Sequence, residues 1–439
     1  MDNISWSQVD LIREVFRYQS RFEGSTMVFK IDYPVTEDPG FPGLVKDLAL
    51  LAKTGFKVII VPGARENIDA IFRQYNINSS GFVNNNISTL DFPARVTTSQ
   101  AISYVEMAAF NVASRFMTFL SGSRVDALIG NFVRARGLGV INGIDTGHTG
   151  TVDKIYADSL KRVLNLGMVP ILPCIGWSPS GKPYNVSSDE IALSVSKTLG
   201  AIKLFIVTAR GRMNIARLTP KETETLINSG VNNAAYSAEE NQQFLWELKL
   251  ALKASQAGVH RVHIIDGREE GAVLKELYSN LGVGTMIYTD EHDSVRPLHS
   301  SDLPDILRLM EPLMQKGVLL RRNPEQIQEK KADYSVFEID GSIRACGALH
   351  NWGESQGEIA AVATDPNYTD LGLGRKIVGY LIEKAKKSQI RRVFVLTTQT
   401  QDWFESLGFK EAAVESLPEQ KRLIYDYGRN SKVFALELQ

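Results

Sequence analysis

Residues 357–376, Gly357-Glu-Ile-Ala-Ala-Val-Ala-Thr-Asp-Pro-Asn-Tyr-Thr-Asp-Leu-Gly-Leu-Gly-Arg-Lys376, carry the most readable chemistry in the chain. An apolar strand holds one acid, Glu358; a Pro turn follows, and Gly372 and Gly374 open a helix. Free backbone N–H groups at such a helix start can hold a pyrophosphate. A carboxylate in an apolar strand is costly unless it has a partner or a task. Together they point to group transfer from a nucleotide-borne donor, with Glu358 taking a proton from the acceptor. The plainer reading of Glu358 is a strand-edge glutamate paired with an arginine. Arg321 and Arg322 precede this stretch, and Arg429 and Lys432 follow it. Guanidinium groups suit carboxylates, so a dicarboxylate acceptor is one reading and exposed loop arginines the other.

The elements around these residues fall into two groups. The 439 residues suffice for two or three domains, and 44 % hydrophobic with 23 % charged residues is ordinary for a soluble globular protein. A net charge of −1 gives no global field for nucleic acid or a membrane surface. Cys174 and Cys346 lack metal-ligand spacing and read as buried thiols in a reducing cytoplasm, with no metal expected. No signal peptide and no apolar run of about 18 residues is present.

An amphipathic helix is predicted over 4–22, with Trp6, Val9, Leu11, Ile12, Val15, Phe16 and Tyr18 on one broad face. Strands at 27–31, 57–61, 125–129, 169–174, 204–207 and 262–265 alternate with helices, which predicts an α/β domain with a mostly parallel sheet. We divide the chain into the helix 1–22, a three-layer domain 23–288, a polar linker 289–294, and a smaller unit 295–439. The smaller unit reads as helix 301–314, strands near 334–340, 343–350, 358–364, 392–397 and 431–438, and helices 372–388 and 401–406 around a mixed sheet.

Residues 295–439 resemble the GNAT superfamily of acetyl-CoA-dependent N-acetyltransferases. The resemblance rests on Thr369-Asp-Leu-Gly372-Leu-Gly374 after the strand and Pro turn, and on Trp403-Phe-Glu-Ser-Leu-Gly-Phe409 further on. It implies acetyl-CoA as cosubstrate, held along Val362, Ala363, Thr369, Asp370, Leu371, Gly372, Leu373, Gly374 and Arg375. It also implies an oxyanion held by a backbone N–H near 361–363. Thr369 departs from the family's usual Gln or Arg. Phe404 stands where many members have an acidic Tyr, leaving Thr397 or Thr398 as a hydroxyl substitute or a thiolate that leaves unprotonated.

Residues 20–287 resemble the amino-acid kinase family through Val58-Ile-Ile-Val-Pro-Gly63, Gly176 with Asn185-Val-Ser-Ser-Asp189-Glu-Ile-Ala192, and Val262-His-Ile-Ile-Asp-Gly-Arg268. The phosphate turn is degenerate, Lys30-Ile-Asp32-Tyr33, and 240–249 reads as plain helix where the family has a Lys-bearing glycine segment. An Asp in that turn would repel phosphate, and Tyr lacks glycine's backbone freedom. A kinase-like domain ahead of a GNAT unit resembles the bacterial N-acetylglutamate synthase family, and the likeness spans nearly the whole chain. It implies acetyl transfer to L-glutamate, the first step of arginine synthesis. Glu358 is then the base, Thr397 lies near the reacting centre, and Arg321 or Arg322, Arg429 and Lys432 hold carboxylates. It also implies feedback by L-arginine bound at Tyr18, His263, Glu276 and Gly282, in a hexamer built as a trimer of dimers. The competing readings are a non-catalytic arginine-binding regulator, an acetylglutamate kinase, and an acetyltransferase for another amine.

Overall fold

Two α/β units, Met1–Thr289 and Asp290–Gln439, form in the computed structural model. The structure describes residues 8–77, 82–83, 94–141, 143–213, 215–230, 237–278, 282–288, 294–339, 342–366, 368 and 372–438. Residues 4–7 of the expected first helix and 289–293 of the expected linker therefore lie outside the described residues.

In the first unit, helix α1 (Gln8–Phe22) precedes an eight-stranded sheet. Its strands in chain order are β1 (Thr26–Ile31), β2 (Lys57–Pro62), β3 (Ala127–Ile129), β4 (Val169–Ile171), β5 (Lys203–Thr208), β6 (Arg217–Leu218), β7 (Arg261–Asp266) and β8 (Thr285–Tyr288). They lie in the order β6-β8-β7-β5-β1-β2-β4-β3. All pairs are parallel except β7 with β8. The near-continuous apolar runs of β1, β2 and β5 mark strands covered on both faces. Met27, Phe29, Ile31, Val58 and Ile60 face the core shared with helices α2 (Phe41–Lys53) and α3 (Ile102–Gly122). Val28, Ile59, Val61, Leu204 and Ile206 face the core shared with α4 (Ser188–Leu199) and α5 (Ala238–Gln256). Helix α5 contains the segment 240–249 expected as plain helix, and α6 (Ala272–Tyr278) packs back on β7.

The sequence reading placed only helices between the third and fifth strands. The structure adds a separate four-stranded sheet of Pro183–Asn185, Ile175–Trp177, Val133–Gly137 and Gly150–Ile155. These strands are three to six residues long and half exposed, too short for a clear period of two.

In the second unit the strands are β9 (Ser294–Pro297), β10 (Tyr334–Ile339), β11 (Ser342–Asn351), β12 (Gln356–Thr364), β13 (Arg392–Thr397), β14 (Lys410–Ala412) and β15 (Lys432–Glu437). They form a mixed sheet in the order β9-β10-β11-β12-β13-β15-β14, in which only β12 and β13 are parallel. Helix α7 (Leu303–Gln315) covers one face through Ile306, Leu309 and Met310. Helix α8 (Leu373–Lys387) joins β12 to β13 and covers the other face through Ile377, Val378 and Leu381. A crossover helix is what parallel neighbours require.

One irregularity shapes this sheet. Ala361 has φ +53° although it is not glycine, and the β11–β12 register shifts between Cys346 and Ala348. Ala361 and Val362 thus oppose Gly347 alone, a bulge that bends β12. Gly347 sits beneath α8, where an added Cβ would come within 2.9 Å of Leu381. Gly347→Val overpacks this contact and lowers the stability of the second unit by about 1–3 kcal/mol. An unchanged thermal midpoint would show that α8 can retreat without cost.

Candidate active site

The bulge opens a gap between the two parallel strands. β12 and β13 pair only at Gln356–Arg392, Gly357–Val393 and Glu358–Phe394, and no pairing follows. Beyond Glu358, both strands present backbone groups to the gap rather than to each other, a slot for an extended ligand that hydrogen-bonds like a strand.

Glu358 stands at the vertex of that gap. It is buried, and its side chain forms an ion pair with buried Lys421 from the short helix α9 (Glu419–Leu423). Lys421 Nζ donates to Oε1 at 2.9 Å and to Oε2 at 2.7 Å. Trp352 Nε1, in the β11–β12 turn, donates to Oε2 at 2.9 Å. The plainer reading expected an arginine partner on a strand edge; the partner is a lysine, and the strand is central. Neither Lys421 nor Trp352 was singled out from sequence. Both lie in short connecting segments without periodicity, and only the fold brings them to Glu358.

Thr397 is buried near the far end of β13, three residues past the partner of Glu358. Its Oγ1 accepts from Gln399 N at 3.3 Å and Thr400 N at 3.0 Å and shares a 2.8 Å hydrogen bond with Thr400 Oγ1. The hydroxyl therefore closes the turn into the helix Gln401–Glu405. Phe404 is buried against Trp403 and Phe409.

The phosphate-loop residues Thr369, Asp370 and Leu371 lie outside the described residues. Gly372 follows them at φ +59° as the N-cap of α8, a left-handed position that favours glycine. Gly374 has a different constraint. A Cβ there would come within 3.0 Å of the Trp403 indole, so its bareness admits a tryptophan. Leu373 is buried in the core beneath the helix start, and Arg375 is exposed, with Nη2 3.5 Å from Ser406 Oγ. Val362 and Ala363 lie on the unpaired stretch of β12.

The structure brings the two arginine groups together. Arg429 Nη2 donates to Gly317 O at 3.1 Å and to Val318 O at 2.6 Å, tying its loop to the segment that leads into Arg321 and Arg322. Arg321 is exposed. Arg322 is half-buried; its Nη1 donates to Leu320 O at 3.3 Å, and its charge acts on the buried Cys346 thiol. Burial pushes that thiol up to about 12, and Arg322 opposes the push. Lys432 is exposed and paired with Glu411 at 3.3 Å, so its charge has a partner on the neighbouring strand.

The four positions expected to hold arginine also cluster, in the first unit. His263 on β7 hydrogen-bonds through Nδ1 to Glu276 Oε1 on α6 at 2.7 Å. Glu276 Oε2 accepts from the N–H groups of Val283 at 2.7 Å and Gly284 at 3.0 Å. Lys203 Nζ lies 3.4 Å from His263 Nε2 and 5.8 Å from the centre of the Tyr18 ring on α1. Gly282 has φ +63°, and a Cβ there would lie 2.6 Å from Glu276 Oε2. The close approach this glycine allows is thus to the Glu276 carboxylate. Burial lowers the His263 pKa, helped by neighbouring Lys203, while the Glu276 bond opposes the drop. Burial would raise the Glu276 carboxyl, but His263 and the two backbone N–H groups hold it below its ordinary value.

The degenerate turn has an equally definite structure. Lys30 is buried between Asp32 at 2.5 Å and Asp189 at 2.8 Å. Burial would depress this ammonium, yet Asp189 and Asp32 outweigh it and raise its pKa. Beside the ion triad lies a cavity of about 500 Å³ lined by Arg65, Ser188, Trp246 and others. Among the described residues no group of three or more His, Cys, Asp or Glu converges to hold a metal.

This geometry matches known proteins over its whole length. The amino acid kinase family model matches residues 34–212, and the acetyltransferase (GNAT) family model matches residues 303–409. The amino-acid acetyltransferase of Vibrio cholerae is 32 % identical, with 97 % of each chain covered. The chain belongs to the amino-acid acetyltransferase family. The Escherichia coli K12 member is 30 % identical over 98 % of both chains. A crystal structure of N-acetylglutamate synthase from Neisseria gonorrhoeae, complexed with coenzyme A and L-arginine, superposes with a TM-score of 0.82 at 30 % identity, covering 99 % of this chain and 100 % of that one. As a member of the family, this chain is an N-acetyltransferase that uses acetyl-CoA, and its gap between β12 and β13 and the helix start at Gly372 fit that cosubstrate.

Two outcomes follow. Gly374→Val forces the Trp403 indole aside and weakens coenzyme A binding by about tenfold or more, measured by calorimetry; unchanged affinity would free the loop from Trp403. The lowered His263 pKa means the unfolded state binds a proton that the folded state refuses, so stability rises with pH in that range. The first unit therefore loses stability as pH falls through about 6.5, the ordinary histidine value. His263→Gln flattens this slope between about pH 6.5 and 5, in denaturant titrations; an unaltered slope would assign the effect to other groups.

Proposed function

We propose that this chain transfers the acetyl group of acetyl-CoA to the α-amino group of L-glutamate, forming N-acetylglutamate in the first step of arginine synthesis. The observation that carries the reading is the buried Glu358 carboxylate at the vertex where β12 and β13 part. Support for glutamate comes from the paired arginine loops and from the Neisseria gonorrhoeae synthase solved with coenzyme A and N-acetyl-glutamate, 32 % identical over 99 % of this chain.

The acceptor amine arrives as ammonium. Glu358 Oε1 takes a proton from it, directly or through a water, and the freed lone pair attacks the thioester carbon. The C–S bond breaks with its electrons moving to sulfur, and the second proton of the attacking nitrogen passes to that sulfur, so coenzyme A leaves as the thiol. An oxyanion forming on the way faces backbone N–H groups of β12 near residues 361–363, and Thr397 lies toward the leaving sulfur. Arg322 and Arg429 meet the acceptor carboxylates, with Arg321 and Lys432 at the rim. Val362, Ala363, Thr369, Asp370, Leu371, Gly372, Leu373, Gly374 and Arg375 hold the coenzyme.

L-Arginine acts as a feedback inhibitor at the Tyr18, His263, Glu276 and Gly282 cluster, where Glu276 offers the one carboxylate for a guanidinium. Ile12 and Phe16 on α1 are exposed apolar residues suited to pairing subunits into a hexamer. We assign the chain to the cytoplasm, a reading supported by its two free cysteines. The kinase reading meets the Asp32–Lys30–Asp189 triad, in which the lysine is already neutralised.

Coenzyme A release from acetyl-CoA with a panel of amino acids tests the reaction. Glutamate is the preferred acceptor, and Glu358→Gln lowers kcat by about 10²–10⁴-fold. Absence of release with every amino acid, despite bound acetyl-CoA, would favour the regulator reading or a macromolecular acceptor. Millimolar arginine lowers the rate, and Glu276→Gln abolishes the response; a rate indifferent to arginine would remove the regulatory assignment.

A further inference from the structure

Helix α9 is arranged against the usual preference for burial. It has five residues, far too few for intrinsic stability. Within it and just after it, Leu423 and Ile424 are 81 % and 63 % exposed, while Lys421 is 7 % exposed. Hydrophobic driving force alone would turn this segment over, since lysine is among the residues least often buried. Leu417 and Tyr425 anchor the segment on either side, and the Glu358 carboxylate fixes which face of it turns inward. Both oxygens receive Lys421 Nζ, and the same ammonium lies 4.9 Å from the Trp352 ring centre.

We propose that Lys421 is a positioning residue for the base, with Trp352 as its second support. Lys421 fixes the plane of the Glu358 carboxylate before the acceptor arrives. Oε2 is occupied by both Lys421 and Trp352, whereas Oε1 receives Lys421 alone, which leaves Oε1 a lone pair for the acceptor proton. The inference rests on the reading of Glu358 as the base. A mere anchor for the α9 segment would need the charge pair but would be indifferent to the reaction.

Steady-state kinetics on the full-length protein separate these cases, using Lys421→Met, Lys421→Arg, Glu358→Gln and the Lys421→Met/Glu358→Gln double variant. Lys421→Met lowers kcat for glutamate by about 10²-fold, the scale of a misplaced catalytic group. The affinity for coenzyme A stays within about twofold, which also verifies the fold. Lys421→Arg recovers at least about tenfold of the loss. In the Glu358→Gln background, Lys421→Met costs less than about threefold more, because the group it positions is gone. Wild-type kcat in Lys421→Met overturns the proposal while leaving Glu358 as base. Equal losses in both backgrounds overturn it as well. Full activity of Glu358→Gln overturns the base reading itself. If Lys421→Met fails to bind coenzyme A, Lys421→Gln takes its place under the same criteria.

Discussion

The second unit depends on one backbone constraint: β12 cannot continue to pair with β13 past Glu358. The left-handed residue at Ala361 inserts an extra position opposite Gly347, and the strand turns out of register. A non-glycine residue in that conformation costs about 1–2 kcal/mol, and the surrounding core must supply it. Ala361 and Ala363 are buried on the α7 side of the sheet, and α8 lies on Gly347 from the other. The strain is thus held between two helices. Its product is a pair of unsatisfied strand edges inside the sheet, which a ligand with amide groups can complete.

That constraint also explains why a buried acid is tolerated. At the vertex, Glu358 still belongs to a fully paired part of the sheet, bonded on one side to β11 and on the other to β13. The side chain is buried, so its charge must be met locally. An indole N–H and an ammonium meet it, and both come from connecting segments. Leaving such a carboxylate unpaired would cost several kcal/mol. The loops at this end of the sheet are consequently bound to the site's charge as well as to its shape. Arg429 acts similarly on the other side, spending donors on the carbonyls of residues 317 and 318.

The parts legible in the sequence were those with a period or a motif. The α/β alternation, the mixed second sheet and the helix over 240–249 followed from hydrophobic spacing, because each strand and helix must bury a face. Glu358 was legible as an anomaly, a charge in an apolar run. The cluster of Tyr18, His263, Glu276 and Gly282 was legible only through resemblance, since these positions come from four separate elements. Trp352 and Lys421 were not legible at all. A lysine in a charged five-residue helix looks like any solvated lysine, and nothing local says that its neighbours are exposed instead. At Gly374 the fold adds a constraint invisible in the sequence: the indole of Trp403 occupies the space a side chain would need.

The first unit shows how a phosphate-binding framework can be stabilised after its turn has changed. An unpaired lysine at the C-terminal end of a central parallel strand would be a buried cation in need of an anion. Asp32 and Asp189 supply that anion from within the chain, so the ion triad closes without a nucleotide. Elsewhere in the same sheet the balance is different. Lys203 and His263 lie on adjacent strands, and Phe205 stacks on both Phe29 and the His263 ring. Burial, helped by Lys203, lowers the His263 pKa, and the ring's Nδ1 shares a 2.7 Å hydrogen bond with Glu276. Three titratable groups therefore share one buried space, with contacts on both ring nitrogens of His263. A guanidinium arriving there must compete with His263 and two backbone N–H groups for Glu276, so its binding necessarily reorganises the contact between β7, α6 and the residues after it. Such competition, which the closed triad at Lys30 does not offer, is what the proposed arginine regulation requires of this cluster.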